Sequence, residues 1–274
     1  MLQIARTEWL KIQKYRAFWW VMAITALTYP GINYMSLALY NQARDGDDQR
    51  RNLVKMLIGN PFSFPETWHT TAYFSSLFIF IPAIVIIMLI TNEYTYRTNR
   101  QNIIEGWSRK DFMIAKLMDV IILSALVTLL YAVVALSIGL SNTPDDKADT
   151  KWQQVYYIGL FALQSFSQLS LAFLTGFLLR KSFIALSVFS FYFIIAEPVA
   201  VKILKYKYHN EIGRFFPREI SDRLLPVPAF VGKFISADAY KASLNDIHYH
   251  VFYTLILLVI TWGFCFWLND RRDL

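Results

Sequence analysis

The chain has 274 residues, of which 55% are hydrophobic and only 17% charged, with a net charge of +7. This charged fraction is below that of soluble domains, and several runs of about 20 residues carry almost no charge, which is typical of membrane proteins. The single cysteine, Cys265, excludes a disulfide or a cysteine-based metal site within one chain. In a membrane protein, this basic balance indicates contact with anionic lipids rather than nucleic acid.

Residues 1–16 predict an amphipathic helix. One face of it holds Leu2, Ala5, Trp9 and Ile12, while lysines lie on the opposite face. A basic amphipathic helix of this kind lies in the membrane interface ahead of the first span, or it covers a partner subunit. We recognise no secretory signal peptide in this segment.

Six long apolar runs follow, and each predicts a transmembrane helix. They cover residues 17–40, 71–91, 112–140, 154–179, 183–203 and 249–268. We therefore expect an all-α polytopic membrane protein, in which residues 1–274 form one transmembrane domain and both termini lie on one side. The short basic connection Arg180-Lys181 favours the cytoplasmic side for the termini. We expect Pro30-Gly31 to kink or break the first helix.

The polar segment 92–112, which we call the elbow, lies between the second and third apolar runs. Glu93 and Arg97 are four residues apart, in the order that favours a helical ion pair. A single helical face would hold Tyr96, Ile103, Ile104 and Trp107. The first half of the elbow is therefore predicted to be a helix.

A tight break is predicted after this helix. Gly106 stands where a left-handed C-terminal cap is favourable. Ser108 and Asp111 have capping-box spacing, with Asp in the place of Glu, and Trp107 and Phe112 have the spacing of a hydrophobic staple. These features predict a rigid elbow with an aromatic corner that leads into the third span. A well-capped surface loop without further function would have the same features.

Three polar residues stand out within the apolar runs. Glu197 lies beside Pro198 in the fifth run, where a carboxyl group is costly unless it is paired, protonated or facing water. It is either a gate or polar substrate contact, or a satisfied structural carboxylate at a helix break. Gln164 and Gln168 are four residues apart in the fourth run. Such amides most often join helices, and the lining of a pathway is the second interpretation.

A polar connection, residues 204–247, joins the last two spans. Its piece 215–226 is short, amphipathic and bounded by prolines, which predicts a helix in the membrane interface or one that dips back at the outer face. His248 and His250 follow it. Two histidines without a third ligand favour a solvated pair over a metal site, so we expect no metal.

The chain has no G-x-x-x-x-G-K-[ST] motif and so carries no nucleotide-hydrolysing P-loop of its own. Its layout, with six spans, an amphipathic start and a capped elbow, resembles an ABC-2 type permease, the transmembrane subunit of a bacterial ABC transporter. The elbow is similar to the family segment in which an acidic residue, a polar helix and a Ser-Arg pair precede the third span. The matching residues are Asn92-Glu93-Tyr94, Arg97, Arg100-Gln101-Asn102-Ile103-Ile104, Gly106-Trp107-Ser108-Arg109, Phe112 and Lys116. Glu197-Pro198 also looks like a feature of some bacterial members.

The resemblance implies a mechanism and a set of partners. The elbow would be a coupling helix seated in a groove of a separate ABC ATPase, present in two copies, which binds the ATP and Mg. This chain would then hold no cofactor and catalyse no hydrolysis. A second permease, identical or related, would complete an export pathway in the bacterial cytoplasmic membrane, and an accessory protein can belong to the assembly.

The resemblance also assigns roles to residues. Coupling to the ATPase would involve Glu93, Arg97, Arg100, Gln101, Ile104, Gly106, Trp107, Ser108 and Arg109. Direct contacts would be made by Arg100, Ile104, Trp107 and Arg109, with apolar corner residues as anchors and cations paired with acids. Glu197, Gln164 and Gln168 would belong to the pathway or its gate.

Two other classes of function remain open at this stage. A membrane-embedded lipid-modifying enzyme needs His, Asp or Glu clustered at one membrane depth, and only Glu197 and Asp119 qualify. A self-contained secondary transporter or channel favours internal repeats and more charge within the membrane, and neither is evident in the sequence.

Overall fold

The computed structural model describes residues 13–44, 59–98, 101, 104, 106–144 and 149–271. Almost all of the predicted N-terminal amphipathic helix, and Arg100 in the elbow, lie outside these residues. Within them the regular structure is helical, and no β-strand is present. The all-α prediction is therefore confirmed for the part of the chain that is described.

The α-helices, in chain order, are α1 (Arg16–Arg44), α2 (Thr67–Ser76), α3 (Phe80–Thr95), α4 (Arg109–Asn142), α5 (Tyr156–Leu179), α6 (Ser182–Phe191), α7 (Glu197–Lys207), α8 (Pro217–Asp222), α9 (Ala229–Ile235), α10 (Ala237–Asn245) and α11 (Ile247–Arg271). A π-helical turn, Tyr192–Ala196, joins α6 to α7, and a 3₁₀ turn, Glu211–Phe215, precedes α8.

Four helical segments of the described chain are long and apolar enough to cross a membrane, namely α4, α5, Ser182–Lys207 and α11. The helices α2 and α3 are bent by 48° at a short break and make a fifth candidate if they are counted as one span. The remaining predicted span, α1, has 29 residues but is not among the candidates. Its middle contains Thr28-Tyr29-Pro30-Gly31 and Asn33, which lower its hydropathy. Six spans therefore stay a prediction.

Two prolines of the predicted spans lie within described helices. The break predicted at Pro30-Gly31 is absent, because α1 continues through Pro30. In the second predicted span the break falls at residues 77–79, before Pro82. Pro82 lies in the first turn of α3, where a missing backbone N–H breaks no helical hydrogen bond.

The centre of the bundle is α5, which packs against α3, α4 and α11. Gly176 allows its closest approach to α3. A Cβ atom at this position would lie 2.5 Å from Ile90 Cγ2 and 3.3 Å from the backbone Cα of Ile87. Small residues permit such backbone proximity between membrane helices.

Contacts between helix ends fall into two groups. We call the group near the elbow the elbow end. There the end of α3 contacts the α5–α6 connection, since Thr91 Oγ1 lies 2.7 Å from Ser182 Oγ and the Arg180 guanidinium lies 5.0 Å from the Tyr94 ring. We call the other group the opposite end, where Trp68 Nε1 donates to the carbonyl oxygen of Lys151 at 2.7 Å.

We expect Gly176→Val to lower the thermal stability of the purified protein. The added side chain meets α3 at distances that force the helices apart, which costs about 1–3 kcal/mol. Differential scanning of intrinsic fluorescence in detergent measures the shift. The matched control is Gly159→Val on the same helix, where a Cβ atom meets nothing within 4 Å. Equal shifts in the two variants would contradict close α3–α5 packing.

Candidate functional site

The elbow begins with a break that the sequence did not predict. Helix α3 ends at Thr95, and Arg97 adopts the left-handed conformation with φ 55°. The predicted helical pair between Glu93 and Arg97 is therefore wrong, although both residues are described, because they no longer lie on one helix. Tyr96 likewise does not share a continuous helical face with Ile104. A left-handed arginine is uncommon and costs conformational energy, so surrounding contacts must fix it.

The second break is the one predicted from the sequence. Gly106 has φ 99°, a backbone conformation that glycine adopts without steric cost. Ser108 caps α4, and its Oγ accepts a hydrogen bond from the backbone N–H of Asp111 at 3.1 Å. The Asp111 carboxylate accepts one in return from the backbone N–H of Ser108 at 3.1 Å. This capping box sets the direction in which α4 leaves the elbow.

A buried ion cluster lies between the end of α3 and the first turns of α4. Lys116 Nζ on α4 is 2.9 Å from Glu93 Oε1 on α3 and 3.2 Å from Asp119 Oδ2. The exposed fractions of these residues are 3% for Lys116 and 5% for each acid. The other oxygen of Glu93, Oε2, accepts a hydrogen bond from the Thr98 hydroxyl. Glu93 therefore joins α3, the first residues of the elbow and α4.

The start of α4 is also tied to the end of the last helix. The Arg109 guanidinium donates to the carbonyl oxygens of Asn269 at 3.3 Å and Asp270 at 2.8 Å. The Asn269 side chain donates back to the Arg109 carbonyl at 2.9 Å. A cation at a helix C-terminus satisfies carbonyl groups that have no partner within the helix. Arg109, predicted to contact an ATPase, thus also holds α11 against the elbow.

Other predicted elbow residues face outward. Ile104 is helical and 85% exposed, Gln101 is helical and exposed, and Arg97 is exposed. Trp107 at the corner is half-buried. Most of the Ile104 side chain is therefore available for contact with another molecule.

The three polar residues of the fourth and fifth predicted spans meet one short helix near the opposite end. Glu197 is only 2% exposed, and its Oε1 accepts a hydrogen bond from the backbone N–H of Glu219 in the first turn of α8 at 2.7 Å. A carboxylate placed there satisfies a backbone N–H that has no helical partner. Glu197 is thus bound to α8, which begins at Pro217.

The π-helical turn explains a second contact with α8. In this turn the N–H of Glu197 bonds the carbonyl of Tyr192, five residues earlier. The next such donor would be Pro198, which has no N–H, so the carbonyl of Phe193 lacks this helical partner. The Arg218 guanidinium donates to that carbonyl, and it also lies 4.4 Å from the centre of the Phe193 ring.

Helix α8 ends in a carboxylate that α5 holds. Asp222 Oδ1 accepts hydrogen bonds from Gln164 Nε2 at 3.0 Å and Gln168 Nε2 at 2.7 Å. Its Oδ2 lies 2.9 Å from Arg218 Nε. Gln164 and Gln168 are about 12 and 18 Å along α5 from its first residue, so α8 lies well inside the bundle. This arrangement corresponds to the helix that dips back, one of the two predicted forms of segment 215–226.

Two buried histidines complete the attachment of this segment. His69 on α2 donates through Nε2 to the Pro226 carbonyl at 2.7 Å, and His250 on α11 donates through Nδ1 to the Ile220 carbonyl at 3.2 Å. The prediction of a solvated histidine pair is wrong for His250, which has 0% exposure, whereas His248 is exposed. In the described part of the chain, no group of three or more His, Cys, Asp or Glu is arranged to hold a metal ion.

The grouping of these polar residues into two clusters was not predicted from the sequence. Asp222 and Arg218 lie four residues apart within the segment noted as amphipathic, a spacing that indicates a helical ion pair. Lys116 and Asp119 are three residues apart and share a helix face. Neither spacing indicates that a glutamate or a glutamine from another helix completes the cluster, because those partners are brought together only by tertiary packing.

Comparison with protein families gives the context for this geometry. Residues 4–196 match the sequence profile of the family described as ABC-2 family transporter protein. The chain belongs to this family. The match covers well over half of the chain, includes the elbow and ends one residue before Glu197. An ABC-2 membrane protein is the permease subunit of an ABC transporter, an integral membrane protein that is not itself the catalyst. No curated protein matches the chain.

The pKa of Asp222 makes the attachment of α8 sensitive to pH. Removal of the carboxyl group from water raises its pKa to about 6, although Arg218 and the two glutamines act in the opposite direction. A raised pKa means that the folded protein binds this proton more tightly than the unfolded chain, whose aspartate pKa is near its ordinary value. The stabilisation is therefore complete below about pH 4 and is lost as the pH rises through about 6.

We expect Asp222→Asn to flatten this part of the stability profile. Between pH 4 and pH 7, the thermal midpoint of the wild-type protein should fall relative to that of the variant, measured by intrinsic fluorescence in detergent. The control is Asp238→Asn, which removes a carboxylate at an exposed position on α10. Parallel profiles of the wild type and Asp222→Asn would refute the assignment.

Proposed function

We propose that this ABC-2 permease subunit exports its substrate and is driven by a separate ABC ATPase that binds the elbow. Two copies of the ATPase bind the ATP and Mg. A second permease, identical or related, faces this one across the pathway. Both termini and the elbow lie on the cytoplasmic side of a bacterial cytoplasmic membrane. Membrane lipids surround the assembly, and an accessory protein can join it at the opposite end.

The observation that carries this proposal is the geometry of the elbow. Two residues with positive φ, Arg97 and Gly106, mark breaks within it, and a capping box fixes the start of α4. Ile104 projects between them with 85% of its surface exposed. An exposed apolar residue on a well-braced projection is suited to a pocket on a partner, because burial of such an anchor supplies binding energy and the rigid base transmits displacement. Arg97 and Gln101, which are exposed, supply polar contacts to the partner, and Arg100 is proposed as a further contact from the sequence.

The elbow also has the connections that a coupling element needs. Glu93 and Ser108 fix its two ends to α3 and α4, and Arg109 joins it to α11. Trp107 lies half-buried at the corner. A push on Ile104 would therefore act on three helices that extend away from the elbow end.

At the opposite end, we propose that Glu197, Gln164 and Gln168 act as a gate. These residues hold α8 inside the bundle through Asp222 and the first turn of α8. Movement of α5 or α7 would break these hydrogen bonds and release α8 from the pathway. In the closed state the hydrogen bonds to α8 offset the free-energy cost of burying these polar groups in the membrane. After α8 is released, the same groups bind other protein groups or a polar cargo.

The family match argues against the other two classes of function, a lipid-modifying enzyme and a secondary transporter or channel. A lipid-modifying enzyme would use Glu197 and Asp119 at one membrane depth. In the structure Asp119 belongs to the ion cluster at the elbow end, while Glu197 binds α8 near the opposite end. A secondary transporter would not need an exposed elbow with this bracing.

We expect Ile104→Asp to abolish binding of the ATPase while leaving the permease folded. The change removes an apolar anchor and places a negative charge in the interface with the ATPase. Loss of a binding hot spot of this kind lowers the affinity by at least about 30-fold. Co-purification of the ATPase with a tagged permease from native membranes measures binding, and thermal stability of the permease measures folding.

The matched control is Ile212→Asp. This isoleucine is also exposed but belongs to the 3₁₀ turn before α8, far along the chain from the elbow. It should leave the amount of co-purified ATPase unchanged. Normal ATPase recovery with Ile104→Asp would sink the proposal that the elbow is the docking element.

We expect Glu197→Gln to alter turnover of the assembled transporter without loss of folding. The glutamine oxygen can still accept the hydrogen bond from Glu219 N–H, but the negative charge is gone. Basal ATP hydrolysis of the reconstituted complex should change by at least about threefold if this bond opens and closes in each cycle. A threefold change in rate corresponds to less than about 1 kcal/mol of activation free energy. Glu211→Gln, at a side chain 73% exposed, is the control. Unchanged turnover with unchanged stability would make Glu197 a structural residue only.

A further inference from the structure

The ion cluster of Lys116, Glu93 and Asp119 is the least expected group at the elbow end. Two carboxylates and one ammonium group have been removed almost completely from water. Apolar residues of similar volume would hold two helices together equally well, because the desolvation of buried charges cancels much of their attraction. Charged groups are directional, however, and they fix one register between two helices where apolar contacts permit sliding.

The contacts of Glu93 show which parts are placed in register. Its Oε1 binds Lys116 on α4, and its Oε2 binds the hydroxyl of Thr98, which follows the left-handed Arg97. Asp119 holds the same ammonium group from the next turn of α4. Lys116 thus determines the orientation of Glu93, and Glu93 in turn determines the position of the elbow relative to both helices.

We propose that Lys116 is the positioning residue of the coupling step. It holds Glu93 so that α3, Thr98 and α4 move as one body when the elbow is displaced. This inference rests on the proposed function of the elbow, but it assigns the task to groups that do not face an ATPase. Without Lys116 the elbow would still be present, its exposed residues could still dock, and the displacement would be absorbed by sliding between α3 and α4.

Hydrogen exchange of the purified permease alone tests the positioning. In Lys116→Met the backbone amides of Tyr96, Arg97 and Gln101 should exchange about tenfold faster, because hydrogen bonds to charged groups contribute enough energy for such a change. Thr98→Val, which removes only the bond to Glu93, should have the same effect at these amides. Lys116→Arg retains a charge of similar reach and should remain close to the wild type.

The control for this measurement is Lys202→Met, an exposed lysine on α7. It should leave exchange at the elbow unchanged. Exchange within twofold of the wild type in both Lys116→Met and Thr98→Val would overturn the proposal, as would equal acceleration by Lys202→Met. Since Thr98→Val removes no charge, it keeps the test decisive if Lys116→Met does not fold.

The complex with the co-purified ATPase tests the consequence for coupling. In the wild type, trapping with ATP and vanadate should change exchange at Ile220, Leu224 and Leu225 near the opposite end. Lys116→Met should still bind the ATPase but lose at least about 80% of that change, because the hydrogen bonds between its ammonium group and the two carboxylates are gone. Lys116→Arg should restore the change. A full response in Lys116→Met would refute the positioning role. Failure of the wild-type permease to bind any ATPase would instead refute the proposed function, while exchange in the permease alone would still decide whether Lys116 positions the elbow.

Discussion

Lys116 neutralises charge at a place where the bundle has removed water, and the geometry of the elbow depends on it. Two acids from different helices, Glu93 and Asp119, share its ammonium group. Removal of one partner from a buried pair typically costs roughly 3–5 kcal/mol, because the remaining charge is left uncompensated. That cost keeps α3 and α4 in a single arrangement on either side of a segment that reverses direction. A strained residue such as Arg97 persists only in surroundings that are fixed in this way.

At the opposite end, hydrogen bonds satisfy the polar groups that are buried in the bundle. Helix α8 has only six residues, too few to be stable alone, and its backbone ends lie inside the bundle. Four surrounding helices supply side chains that satisfy polar groups of segment 215–226: His69 from α2, Gln164 and Gln168 from α5, Glu197 from α7 and His250 from α11. The segment is therefore held by its neighbours' polar groups, so a relative movement of those neighbours changes its binding directly.

The sequence predicted those features whose causes are local. Gly106 and the Ser108 capping box follow from residue types within a few positions, and the apolar runs indicate most of the membrane helices. The left-handed Arg97 could not be predicted, because arginine has no preference for that conformation. Likewise, Arg97 was the nearest cation to Glu93 in sequence, but its actual partner Lys116 is 23 residues away and becomes adjacent only when α3 and α4 pack. Long-range pairs of this kind have no local signal.

The π-helical turn before Glu197 has a consequence for comparisons among related chains. Each additional residue in a helix rotates everything beyond it by about 100°. The inward direction of Glu197 is therefore a matter of residue number as well as residue type. A relative that lacks one residue within 192–196 would keep the same glutamate, proline and hydropathy, yet its carboxyl group would point about 100° away from α8. An alignment gap at this turn, and not a substitution, would then mark relatives in which α8 is attached differently.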